Sequence, residues 1–293
     1  MTMPKICIVT DVHHGADTTT KKGSAAGRLM DGFVAFCADQ APDIALDLGD
    51  RISDVDHDTD LALEREAAAM FAPITQPVHH ICGNHDRDFI SVAENAEILG
   101  QSLANETIDL DGWTLVLFRA DAKIHRPADG PRGFALPEAD LVWLAGVVAT
   151  AAQPLAIFTH VPLSGHDQTG NYYFQNNPEF SRYPDTARIR SVIESARVPV
   201  ACFSGHVHWN TLTTVHGIPY FTIQSLTETF TTHPEPAGAM AVLDLGPDEI
   251  TLDVRGLDAF QARVPVAQMA RRWVAALPPF SRHREIAARL AEE

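Results

Sequence analysis

The sequence predicts an α/β fold built on parallel strands, and three observations predict it. Short apolar, β-branched runs alternate with segments of helical period through the first third of the chain. Those runs are apolar throughout, as strands buried on both faces are. Five of the runs end in clusters of Asp, Asn and His, where an open α/β sheet places its ligands.

Taken in order, "ICIVT" (6–10) is a buried strand. A Gly/Thr-rich loop follows. Then 24–40 spaces Leu29, Phe33, Phe36 and Cys37 as one helix face, with Ser24 as N-cap. "DIALDLGD" (43–50) is a second strand, 59–71 a helix, and "VHHICGNHD" (78–86) a third strand running into a turn. This order implies β-α-β units with parallel strands. Residues 107–120 form a hairpin on an Asp111-Gly112 turn. Helix 137–151 opens on a proline. Strand 155–160, helix 184–196 and strand 198–208 follow, then strand-like pieces at 211–225, 239–246 and 249–256. One domain over 1–265 is expected, with a helical tail at 266–293, broken at Pro278-Pro279, packed on it.

The 293 residues suffice for a large core. A formal net charge of -16 argues against a sequence-independent grip on nucleic acid or an anionic membrane. No apolar run is long enough to span a bilayer, and "MTMPKICIVTDVHHG" is a poor signal peptide. The four cysteines are scattered without a C-x-x-C and read as reduced core residues. The expected compartment is the cytoplasm.

The strand ends carry Asp11-Val12-His13, Gly49-Asp50, Gly83-Asn84-His85-Asp86, His160 and Gly205-His206-Val207-His208. Taken singly, His160 fits a partly buried core histidine and Gly49-Asp50 an ordinary turn. Together, imidazole with carboxylate and amide oxygen suits Fe, Mn, Zn or Co, and the lack of thiolate argues against a structural zinc clip. If the backbone stays extended, Asp11 and His13 point together, as do His206 and His208.

This ordered set, "DVH" (11–13), "GD" (49–50), "GNHD" (83–86), His160 and "GHVH" (205–208), resembles the signature of the calcineurin-like metallophosphoesterases over roughly residues 5–210. The resemblance implies a four-layer α/β/β/α sandwich and a two-metal centre (Fe, Mn or Zn). Carried over by position, Asp11, His13 and His208 would hold one metal, Asn84, His160 and His206 the other, and Asp50 would bridge. His85 would meet the substrate phosphate without binding metal. A hydroxide bridging the metals would attack phosphorus, with His85 stabilising the phosphoryl oxygens or protonating the leaving alkoxide. The metals would let an acidic protein hold an anionic substrate.

The chain departs from the pattern at "GDRISD". Many relatives carry a second Asp, which supports the catalytic His, where Ser53 stands here. Asp54 lies one residue further on, and the support for His85 stays open. Arg51 is read as a phosphate contact or, preferentially, a structural ion pair. His14 is expected to point away, and His79 and His80 to lie in the core or behind the ligands. The short spacing resembles the compact phosphodiesterase branch, the cyclic-nucleotide and glycerophosphodiester hydrolases. A small phosphodiester is therefore the expected substrate. The alternatives are a phosphomonoesterase or nucleotide pyrophosphohydrolase, and a non-catalytic scaffold built on the metal site. The loop 161–184 offers Tyr172, Tyr173 or Phe174 to stack on an organic group and Asn176, Asn177 or Arg182 to contact phosphate or sugar. Packing of the loop, or a dimer contact, is the competing use of these aromatics. Homo-oligomerisation is left open.

Overall fold

Strand parity divides the core. In β1 (Lys5–Val9), Ile6 and Ile8 face one apolar cluster, and Cys7 and Val9 face another. The computed structural model describes residues 3–127, 132–274, 276–277 and 279–280. β1 pairs in parallel with β2 (Ile44–Asp47), and β2 with β3 (Val78–His80). On its other edge β1 pairs antiparallel with β10 (Met240–Leu245), which continues into β11 (Glu249–Arg255) and β12 (Phe260–Pro265). The second sheet runs β4 (Glu106–Leu110), β5 (Trp113–Leu117), β6 (Leu155–Thr159), β7 (Val200–Ser204), β9 (Ile218–Thr222), β8 (Thr211–Val215).

The two sheets pack face to face. Ile6, Ile8 and Leu46 of the first meet Leu115, Phe158 and Phe203 of the second in one fully buried cluster. Phe158, Phe203 and Phe221 lie in register on β6, β7 and β9 and stack at 5.1 and 5.0 Å between centroids. The outer faces are covered by helices. Cys7 and Val9 pack on Phe33 and Cys37 of α1 (Ala26–Gln40) and Phe71 of α2 (His57–Phe71). Ile157 and Cys202 pack on Leu144 of α4 (Glu138–Thr150) and Ile189 and Ile193 of α5 (Thr186–Glu194). This is the expected α/β/β/α order.

Local details differ from the sequence reading. Ser24 does not cap α1: its hydroxyl and backbone N–H both go to Asp17, and a 3-10 turn over Gly23–Ala25 starts the helix instead. A short helix, α3 (Val92–Leu99), was not anticipated, although Ser91 and Glu94 close a capping box at its start. β12 was missed as well. Past residue 265 only α6 (Val266–Met269) is helical among the described residues, and Met269 is fully buried in the core between the sheets. The rest of the expected tail, 281–293, lies outside the described residues. Among the described residues no helix is long and apolar enough to cross a membrane.

Candidate metal centre

The five strand ends meet in one place. After Val9 the chain runs beside the end of β2, with Asp11 N–H donating to Gly49 O (2.8 Å) and His13 N–H to Asp50 O (2.9 Å). Across the gap between the sheets, His160 Nε2 lies 3.3 Å from Asp50 Oδ2, and His208 Nε2 3.2 Å from Asp11 Oδ1. The backbone here is not extended, contrary to expectation. β1 stops at Val9 and β7 at Ser204, and Asp11, His13, Asp50, His206 and His208 all have left-handed φ, from 47° to 70°. An extended strand would aim these side chains up and down from the sheet. The left-handed turns aim them over its edge. Such a conformation costs a non-glycine residue roughly 1–2 kcal/mol, and it persists because the surrounding hydrogen bonds hold it.

Two glycines leave room for this convergence. A Cβ on Gly83 would collide with Asp50 Oδ1 and His160 Cε1, and one on Gly205 with Thr10 Oγ1 and Asp11 Oδ2. Neither has positive φ. Both positions need glycine for space.

Each imidazole is anchored on its outer nitrogen. His13 Nδ1 reaches Ile52 O (3.3 Å), His160 Nδ1 Leu48 O (2.9 Å), His206 Nε2 Phe180 O (2.7 Å) and His208 Nδ1 Glu228 Oε2 (2.8 Å). A ring nitrogen facing a carbonyl or carboxylate carries a proton, so the opposite nitrogen is the one that can give its lone pair to a cation. Those inner nitrogens face one another: His13 Nε2 and His208 Nε2 are 3.0 Å apart. His206 Nδ1 is buried without a hydrogen-bond partner among the described residues.

The donors fall into two groups, Asp11, His13, Asp50 and His208, and Asp50, His160 and His206, each with its ligand atoms within 4.8 Å of one another. Asp50 belongs to both. Asn84 Oδ1, 3.3 Å from His160 Nε2, joins the second. Converging lone pairs, an orphaned buried nitrogen and a shared carboxylate fit two divalent cations.

The charges of the metal-free protein show what those cations would replace. Burial, the largest influence, lowers His160 and His208, but Asp50 and Asp11 outweigh it and raise each to about 9. Burial and the neighbouring His160 push His206 down to about 3. Glu228 is drawn down to about 2 against its burial by His208, and Asp50 is held well below the usual carboxylate range, against burial, by His160 and His85.

His85 stands at the rim. Its N–H donates to Asp50 Oδ1 (2.8 Å), and its Nδ1 hydrogen-bonds Asp54 Oδ1. The support left open by the sequence thus comes from Asp54, one residue beyond the usual position, while Ser53 Oγ turns to His13 O (3.4 Å). A cavity of about 290 Å³ opens onto the centre, with Asp50, Asn84, His85, His206 and His208 on its floor. Ile124, Tyr173, Phe174 and Phe180 form its walls, and Lys21 also lines it.

Of the candidate substrate residues, Tyr173 and Phe174 lie in this wall, with the Tyr173 hydroxyl hydrogen-bonded to Thr20 Oγ1 (2.6 Å). The others do not line the cavity. Tyr172 is exposed and stacks on Phe230; Asn176 is exposed. Asn177 donates to Tyr173 O (2.8 Å) and Arg182 to Gly165 O (2.7 Å), so both are spent holding the loop together. Arg51 as a phosphate contact is corrected too. It is fully buried, turned away from the cavity into Asp47 (2.7 Å), Glu64 (2.6 Å) and Asp86 (3.3 Å). His14 turns outward to Glu66 (2.7 Å), and His80 Nδ1 bonds Asp47 Oδ2 (2.9 Å). Lys21 and Glu228 were missed. Their only sequence signal is a charge inside a Thr-rich stretch.

The calcineurin-like phosphoesterase family model matches residues 4–210. The chain belongs to that family. Among solved structures, a dimetal phosphatase from Danio rerio is 16% identical with a TM-score of 0.72, over 90% of this chain and 99% of that one. GAP50, the anchor in the inner membrane complex of Plasmodium, is 10% identical with a TM-score of 0.57, over 96% and 99%. TT1561 of Thermus thermophilus is 12% identical with a TM-score of 0.52, over 87% and 100%. At these identities the likeness is one of fold. No curated protein matches the chain.

Proposed function

We propose that the chain is a two-metal phosphoesterase that hydrolyses a small phosphodiester. The observation that carries this reading is Asp50, shared by two donor groups whose inner imidazole nitrogens are turned toward one another. Asp11, His13 and His208 would hold one cation, Asn84, His160 and His206 the other, with Asp50 common to both. Two such cations supply charge for the phosphoryl oxygens and a water acidic enough to attack near neutral pH.

The chain's own residues supply the rest. Anchored outer nitrogens fix each ligand's tautomer and orientation. Asp54 holds the His85 Nδ1 proton, so Nε2 is the atom that can meet a phosphoryl oxygen or pass a proton to the leaving alkoxide, a role typically worth about 10²–10⁴-fold. Ile124, Tyr173, Phe174 and Phe180 exclude water from one side and offer an apolar surface to an ester's organic group. That surface favours a diester, which presents a second organic group, over a bare monoester.

The test uses the full chain, stripped with chelator and reloaded with manganese, zinc or iron. Bis(p-nitrophenyl) phosphate should turn over with a higher kcat/KM than p-nitrophenyl phosphate, with two metals per chain by elemental analysis. A monoester preference would move the substrate class. No turnover with any metal, and no metal bound, would leave a scaffold.

A further inference from the structure

Lys21 is the buried charge that the centre does not explain. Its side chain is only 9% exposed and lines the cavity over the metal ligands. Its backbone is fixed: Lys21 N–H donates to Thr18 O (2.6 Å), Thr18 N–H to Lys21 O (3.0 Å), and the segment bridges to Glu228. No hydrogen bond or ion pair of the ammonium is found among the described residues, whereas Lys5 donates to Gln40 O (3.3 Å) and Lys22 pairs with Asp17 (3.4 Å). An ammonium has three donors and no acceptor, and leaving charged donors unmade inside a protein is costly. Burial, the largest influence, lowers the Lys21 pKa, against nearby carboxylates that raise it.

The carboxylates that face Lys21 are Asp50, Asp54, Glu228 and Asp11, none within ion-pairing distance. Each already has a nearer partner: Asp50 faces His160, Asp54 His85, Glu228 and Asp11 His208. Two divalent cations would carry as many positive charges as those four carboxylates carry negative. With neutral imidazoles, Lys21 is then the charge left to balance an anion, whether the hydroxide formed on the metals or a phosphoryl oxygen. A buried ammonium with no hydrogen bond among the described residues, on a residue that lines a cavity with apolar walls, matches an anionic guest.

We propose that Lys21 is the residue by which this chain holds the anionic phosphoryl group of its substrate, and that it fits the cavity to a monoanionic phosphodiester. This rests on the phosphoesterase reading of the same site. Lys21 would donate to a non-bridging oxygen, and the ester's organic group would lie against Tyr173, Phe174 and Phe180.

The experiment compares the metal-loaded wild type with Lys21→Met and Lys21→Arg. For each, it measures KM and kcat for bis(p-nitrophenyl) phosphate, the inhibition constant of inorganic phosphate, and metal content and affinity by calorimetry. Lys21→Met should raise KM and the phosphate inhibition constant together, by about 10- to 100-fold, with kcat changed far less. Lys21→Arg should recover part of the loss, and both variants should keep two metals bound as tightly as wild type. Values within twofold of wild type would overturn the proposal. So would a matching fall in metal affinity, which would make Lys21 an organiser of the metal ligands. If the wild type itself neither turns over an ester nor binds phosphate, the phosphoesterase reading fails, and Lys21 falls with it. An active wild type with an indifferent Lys21→Met sinks the proposal alone.

Discussion

Two clusters of buried charge lie back to back across the Asp50-Arg51 peptide, and they are completed in opposite ways. On one side Asp50 faces converging histidine nitrogens, including one with no hydrogen-bond partner among the described residues. On the other, Arg51 meets Asp47, Glu64 and Asp86, donates to Ile81 O (2.9 Å) and reaches Asn95 Oδ1 (3.3 Å). Asp86 also accepts the N–H groups of Asp50, Arg51 and Gly83 (2.8–2.9 Å), fastening the ends of β2 and β3 together. The second cluster supplies its own counter-charge, and the first takes it from outside. A single turn thus separates a framework for the strand ends from a receptor for cations.

The sharpest way to break this contrast is to remove its two central residues in turn. Asp50→Ala should cost about 10³-fold or more in kcat/KM. It should also bring bound metal below two per chain by elemental analysis, while the fold survives by circular dichroism. Arg51→Ala strands three carboxylates and should cost about 3–5 kcal/mol of unfolding free energy in denaturant titration, because a broken buried pair leaves uncompensated charge. If Asp50→Ala proves the less stable variant, or Arg51→Ala loses only activity, the division is wrong.

A smaller effect separates the parts of the metal centre itself. His208 is backed by a carboxylate, Glu228, whereas His13, His160 and His206 are backed by backbone carbonyls. Glu228→Gln should weaken one metal-binding step by about 10- to 100-fold and spare the other. Two-step calorimetry reads this directly; equal weakening of both steps would deny that the groups are distinct.

How legible all this was follows the same divide. Strands buried on both faces announce themselves as apolar runs, and ligands at strand ends stand beside them in sequence, so Asp11, His13, Asp50, Asn84, His160, His206 and His208 could be read as one set. Residues that act through tertiary approach could not. Glu228 reaches His208 from a loop twenty positions on, Lys21 enters the cavity from the loop after β1, and Asp54 serves His85 from outside the usual spacing. The loop 161–184 misled in part because Asn177 and Arg182 bond the loop's own carbonyls, which no spacing reveals. Left-handed backbone at five of the ligand-type residues was invisible to an argument from strand alternation. Of the two unforeseen elements, α3 did carry a readable capping box, and β12 carried polar and proline residues that masked it.

The finest test of the comparison counts protons. Without metal, the cation-receiving cluster balances its carboxylates with protons on its own histidines, since His160 and His208 are raised to about 9 by Asp50 and Asp11 against the burial that lowers them. A raised histidine is protonated below its folded pKa, so at pH 7.5 both rings hold protons that a metal must displace to reach the nitrogen. Loading the metal-free protein with manganese in a weakly buffered indicator solution should therefore release about two protons per chain from these rings at pH 7.5, beyond any that metal-bound water gives up. The ring contribution should fall toward none as pH rises past about 10, where both rings are already neutral. Glu228 is drawn down to about 2 mainly by His208, so it stays ionised across this range and contributes none. The Arg51 cluster should also contribute none, because no metal enters it. Glu228→Gln removes one of the charges that raise His208, so its proton yield at pH 7.5 should drop below that of wild type. Proton release independent of pH between 7.5 and 10 would mean that the two clusters are already neutralised alike before any cation arrives.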